Sequence, residues 1–111
     1  MDMEFKSEKL GDYVVLSVAG RMDALTAGEF EKQCCQCMED GDAKIVADMG
    51  GVDYISSAGL RSILSAAKKL RGAQGEIRFC GLSGMVNDVF TVSGFAAMFK
   101  IFDTAADATK A

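Results

Sequence analysis

Apolar positions in this 111-residue chain change rhythm several times, and each change marks an element. Tyr13 to Ala19 reads YVVLSVA, an apolar run of strand length that ends at Gly20. Ahead of it, Glu4 to Lys9 alternates weakly and predicts an edge strand, with Gly11-Asp12 as the turn between the two. From Ala24 to Glu39 the spacing becomes helical, placing Ala27, Phe30, Cys34, Cys37 and Met38 on one face. Asp23 stands just before it as a predicted N-cap, since a carboxylate there can accept from free backbone N–H groups.

Gly41-Asp42 breaks that helix, and Lys44 to Met49 gives a strand, KIVADM, followed by a bend at Gly50-Gly51. Helical spacing resumes with Leu60, Ile63, Leu64, Ala67 and Leu70 in a helix over 58–71, with Gly72 and Gly75 at its exit. Glu76 to Cys80 is a further short strand. Ser83 predicts the N-cap of a helix carrying Met85, Val86, Val89, Phe90 and Val92, which Gly94 stops with Phe95 as its hydrophobic contact. Met98 to Phe102 reads as the last strand, and Asp103 to Ala111 as one or two helical turns that fray. The order is ββαβαβαβ with a terminal helix. Helices between strands imply crossovers, so the fold class is α/β: a mixed, mostly parallel sheet of about five strands with helices packed against it. The tight first turn pairs the first two strands antiparallel, and the chain is expected to form one domain over 1–111.

Composition removes whole classes of function. The formal net charge is −4, opposite to the basic footprint of a nucleic-acid binder and to docking on an anionic membrane. Met1-Asp2-Met3-Glu4 has no basic stretch followed by an apolar run, and no apolar segment reaches roughly 20 residues. The expectation is a cytoplasmic protein with neither nucleic acid nor membrane as partner. The chain has no histidine, which removes the commonest general base and metal ligand and excludes a serine triad of the histidine type. Three of the four cysteines, Cys34, Cys35 and Cys37, crowd into one predicted helix, where Cys34 and Cys37 share the buried face and Cys35 turns toward solvent. With only Cys80 left to complete a zinc set, they read as small core hydrophobes, reduced in a cytosol. No GxGxxG or GxxxxGK[ST] pattern occurs. No metal, no cofactor and no catalytic constellation are expected, and the protein reads as a binding module rather than an enzyme.

The informative stretch is Val52-Asp-Tyr-Ile-Ser-Ser-Ala-Gly-Leu-Arg61, a helix opening with two hydroxyl residues. Ser56 and Ser57 are placed to cap the helix, whose first N–H groups lack intrahelical partners. The same helix start also favours negative charge. Spacing alone leaves both readings open, a plain cap or a functional hydroxyl.

Val52 to Leu64 resembles the signature of the STAS family, which includes anti-sigma factor antagonists and the cytoplasmic tails of sulphate transporters. Gly20-Arg-Met-Asp-Ala-Leu-Thr26 is similar to the family's first strand-to-helix turn, and Ile45-Val-Ala-Asp48 to its central strand. Val86-Asn-Asp-Val-Phe90, Ser93-Gly94-Phe95 and Phe99-Lys-Ile-Phe102 resemble its last helix and strand. The resemblance implies a single STAS domain and a bacterial partner-switching protein. The unphosphorylated antagonist would bind an anti-sigma factor that is also its serine kinase, releasing a sigma factor for transcription, and a PP2C-type phosphatase would restore it. The acceptor position, two residues before the glycine of the Gly-Leu pair, is Ser57. Ser56, where many members carry Asp, is the second choice. The partner surface would comprise Asp23, Thr26, Asp53, Ser56, Ser57, Ala58, Gly59, Leu60 and Arg61, on a protein that is a monomer when free. The alternative is a constitutive STAS scaffold in another complex, lipid-transport or stress-signalling, with Ser57 only a cap.

Overall fold

The computed structural model describes residues 3–110. Its strands are β1 (Glu4–Leu10), β2 (Tyr13–Met22), β3 (Lys44–Ile55), β4 (Glu76–Cys80) and β5 (Ile101–Phe102). Its helices are α1 (Ala27–Glu39), α2 (Ser57–Gly72), α3 (Gly84–Val92), the single turn α4 (Phe95–Met98) and α5 (Ala105–Lys110). The sheet runs in the order β1-β2-β3-β4-β5, antiparallel between β1 and β2 and parallel thereafter. The α/β class and the five-strand mixed sheet are those the sequence pattern predicts.

That order decides where the helices go. Every parallel crossover steps in the same direction, and crossovers are right-handed, so α1, α2 and α3 lie on one face of the sheet. Strand residues separate accordingly. Val14, Leu16 and Val18, Ile45, Ala47 and Met49, and Ile77 and Phe79 join Phe30, Cys34, Ile63, Leu70, Val86 and Phe90 in the main core. Tyr13, Val15, Val46 and Cys80 point the other way, into a small second cluster with Ala108 of α5. Because the order never reverses, the sheet has no switch-point crevice of the kind that holds dinucleotides.

Several boundaries differ from the pattern-based ones, for physical reasons. Gly50-Gly51 is no bend, because β3 continues through it to Ile55. The β2–β3 register passes from Ser17↔Asp48 to Ala19↔Gly51, then from Gly20↔Val52 to Arg21↔Tyr54. Each step uses one more residue of β3 than of β2, a bulge that lengthens one strand against the other. Met98 to Phe102 is not one strand. Gly94 takes left-handed backbone (φ +85°), and α4 follows so that Phe95 and Phe99 can pack. Their rings meet edge-on at 5.5 Å and contact Phe90 at 5.6 Å and Phe79 at 5.2 Å. Only Ile101 and Phe102 remain for the strand.

Met85 and Val92, placed on the apolar face of the third helix by spacing, are exposed at 40% and 88%. Only Val86 and Phe90 of α3 are fully buried, since its apolar residues wrap further round than one sheet face can cover. The tail is docked rather than frayed: Ala108 is fully buried and its carbonyl accepts from Nη1 of Arg78 at 2.8 Å. Ala111, the last residue of that expected turn, lies outside the described residues.

Candidate functional site: the α2 start and the β2–α1 turn

The two β3 bulges bring its last residue, Ile55, level with Met22 at the end of β2, and the next N–H, that of Ser56, donates to the Met22 carbonyl at 2.9 Å. Ser56 is then the N-cap of α2, with extended backbone (φ −96°, ψ 174°). Its Oγ accepts from the Gly59 N–H at 3.3 Å, and its carbonyl accepts from the Leu60 N–H at 3.0 Å. Ser57 is the first helical residue, one position earlier than the 58–71 spacing gives. Its side chain is exposed and has no hydrogen-bond partner among the described residues. The two neighbouring hydroxyls therefore do different work: one caps, the other faces solvent.

Beneath them the contacts are tight. Gly59 is buried against Met22, and a Cβ there would lie 2.9 Å from Met22 Cγ and 3.1 Å from the Met22 carbonyl oxygen. One turn on, the Ser62 hydroxyl donates to the Ala27 carbonyl at 2.6 Å, tying α2 to the start of α1. The helix start thus sits on a support with little freedom.

The β2–α1 turn is closed by side chains. Asp23 is not the N-cap of a helix from Ala24; α1 starts three residues later, after Thr26. The Asp23 Oδ1 accepts from the N–H groups of Leu25 (3.0 Å) and Thr26 (3.3 Å). Thr26 Oγ1 donates to the Arg21 carbonyl at 2.5 Å and accepts from the Asp23 N–H at 3.0 Å. This mutual bonding holds 23–26 as a turn and delays the helix. The Leu25 N–H bond leads in holding the Asp23 carboxyl below its ordinary range, with Thr26 and the Arg21 guanidinium adding and partial burial opposing. Arg21 is itself fixed, its Nε 3.4 Å from Asp23 and its guanidinium 3.8 Å above the Tyr54 ring.

The structure brings Asp23, Ser56, Ser57 and Ala58 to one end of the molecule, with Asp53 exposed on the strand entering it, Leu60 closing the first turn of α2 and Arg61 opening the second. Thr26 (4% exposed) and Gly59 are buried, so they shape this surface from beneath rather than offering contacts. Residue spacing missed Arg21, Tyr54 and Leu25. Arg21 and Tyr54 become neighbours only through the β3 bulges, and Leu25, 91% exposed on the closed turn, has the spacing of a helical position. Among the described residues no group of His, Cys, Asp or Glu could hold a metal ion, and Cys80 lies across the sheet from Cys34 and Cys37. Among the described residues no helix is long and apolar enough to cross a membrane.

Residues 4–108, nearly the whole described chain, match the family model of the STAS domain. The chain belongs to the STAS family. Within it the affinity is to anti-sigma factor antagonists, which are regulators rather than enzymes. A Bordetella bronchiseptica protein named as an anti-sigma factor antagonist, BtrV, is 35% identical over 99 residues, covering 89% of this STAS chain and 85% of the relative. Solved structures share the fold. An anti-sigma factor antagonist of Thermotoga maritima superposes with a TM-score of 0.87 at 22% identity, covering 96% of this chain and 92% of that one. The Bacillus cell fate determinant SpoIIAA in its phosphorylated form gives 0.70 at 18% identity, covering 96% of each.

Proposed function

We propose that this STAS protein is a phosphorylation-controlled partner-switching antagonist, with Ser57 as the acceptor. The observation that carries the reading is the division of labour at the α2 start. Ser56 is committed to the Gly59 N–H, whereas the Ser57 hydroxyl is exposed and unpartnered at the family's acceptor position. In the unmodified state the α2 start and the 23–26 turn bind an anti-sigma factor that is also the serine kinase, and a sigma factor goes free. A PP2C-type phosphatase reverses the modification. The chain needs no nucleotide of its own and performs no chemistry itself.

The switch works by local obstruction. A phosphate brings about −1.5 to −2 charges and three acceptor oxygens to a spot that the partner packs against. The helix N-terminus tolerates that charge, so the fold need not rearrange. SpoIIAA, solved in both forms with a TM-score of 0.70 to this chain in each, supports a phosphate carried without refolding. Losing about 3 kcal/mol at the partner surface weakens binding more than a hundredfold.

The test uses unmodified protein and protein with phosphoserine encoded at position 57 as paired baits in extract from the source cells. The unmodified bait should retain an ATP-binding anti-sigma factor, identified by mass spectrometry, and the phosphorylated bait should lose it. Equal retention by both would refute the switch and leave a constitutive scaffold.

A further inference from the structure

We infer that Arg61 clasps the phosphate when Ser57 carries one, an inference that rests on the reading of Ser57 as the acceptor. Ser57 and Arg61 are four residues apart at the start of α2, both exposed. Residues at this spacing share one face, and long helical side chains lean toward the N-terminus, which puts Ser57 within the range of an Arg61 side chain.

Arg61 is also uncommitted, with no hydrogen bond, ion pair or ring contact among the described residues. Arg21, the other guanidinium at this end, is held between Asp23 and the Tyr54 ring. The first turn of α2 contains no acidic residue. Arg61, the fifth residue of α2, lies far from the helix C-terminus where a cation is favoured, so the unmodified helix gains nothing from its charge. A phosphate reverses that balance. The planar guanidinium presents paired N–H donors that match two phosphate oxygens, an arrangement roughly twice as strong as a neutral hydrogen bond.

One modification then changes the partner surface twice. The partner meets a bound phosphate where a serine was, and it loses the free Arg61 guanidinium, now turned back onto its own helix. The phosphate is held against the start of α2 instead of swinging on the serine side chain.

The test needs no kinase. Phosphoserine is encoded at position 57 in the full chain and in its Arg61→Gln and Arg61→Lys forms, and each is titrated by ³¹P NMR at low ionic strength. The second ionisation of a free phosphoserine lies at about pH 6, and a clasping cation lowers it by favouring the dianion. For an exposed pair at this spacing, Arg61→Gln should titrate about 0.5 pH higher than the unsubstituted chain, and Arg61→Lys, which keeps the charge but not the paired donors, should recover at most about half of that difference. Matching circular-dichroism spectra establish that the fold is intact in all three. Coincident curves for the unsubstituted and Arg61→Gln chains would overturn the inference, as would an Arg61→Lys curve coincident with the unsubstituted one, which would leave a charge effect and no guanidinium clasp. Whether cells phosphorylate Ser57 is a separate observation, so failure of the acceptor reading leaves this result legible on its own.

Discussion

Ser56 and Ser57 share a side chain and differ in its employment, which makes them a direct probe of the site at the residue scale. Ser56→Ala removes the acceptor of the Gly59 N–H and should destabilise the protein by about 1 kcal/mol. Ser57→Ala removes no hydrogen bond and should stay within about 0.5 kcal/mol of the parent. Urea unfolding of the two variants measures both. The reverse order would mean that Ser57 is the cap and Ser56 the free hydroxyl. The sequence alone could not separate these roles, because adjacent serines before a helical repeat are equivalent as caps until the backbone is fixed. What fixes it is the Ser56 N–H on the Met22 carbonyl, a contact between residues far apart in sequence. The burial of Gly59 was hidden for the same reason, being set by Met22 of β2, whereas Thr26 is buried on the closed 23–26 turn with its hydroxyl on the Arg21 carbonyl.

At the scale of elements, periodicity was a good guide wherever one face of an element is buried and the other wet. In α1, Ala27, Phe30, Cys34 and Cys37 are buried as the spacing predicts, and Cys35 is partly exposed. That difference has a chemical consequence. Burial pushes the Cys34 thiol well above its ordinary range and the Cys80 thiol up to about 11, so neither supplies thiolate at neutral pH. A brief pulse of thiol reagent on native protein should therefore modify Cys35, leaving Cys34, Cys37 and Cys80 unlabelled until urea is added. Peptide mapping checks it, and rapid native labelling of Cys34 or Cys80 would contradict the packing described. Periodicity failed where tertiary contacts override it. The bulges that carry β3 through Gly50-Gly51 have no local signature, and α5 is recruited by Arg78, a residue type that reads as exposed but here is 5% accessible.

For the whole molecule, the family-level architecture was legible because strands alternate with helices of ordinary length. The one-directional strand order, which crowds three helices onto one face, was not read from the pattern. Those helices are laced together by polar contacts as well as by the core. Glu31 on α1 accepts from Ser65 at 2.6 Å and pairs with Lys69 at 2.5 Å, both on α2. The Lys69 ammonium first, then the Ser65 hydroxyl, holds the Glu31 carboxyl below its ordinary value of 4.5. A lowered folded-state value means that the stabilisation is complete above about pH 4.5 and fades as pH falls through the depressed range. Glu31→Gln should therefore be less stable than the parent at neutral pH, and the two should converge in acid. The gap should narrow with salt, because the pair is partly exposed. Denaturant unfolding from about pH 3 to 7 tests this, and a gap that widened in acid would contradict it.

A switch thrown at Ser57 is tested by mass spectrometry of the protein from its own cells under stressed and unstressed growth, with Ser57→Ala as control. A phosphate is expected on the peptide spanning Ser56 and Ser57, and it should disappear in Ser57→Ala. A phosphate that persists in Ser57→Ala, or a peptide unmodified in every condition, would contradict it.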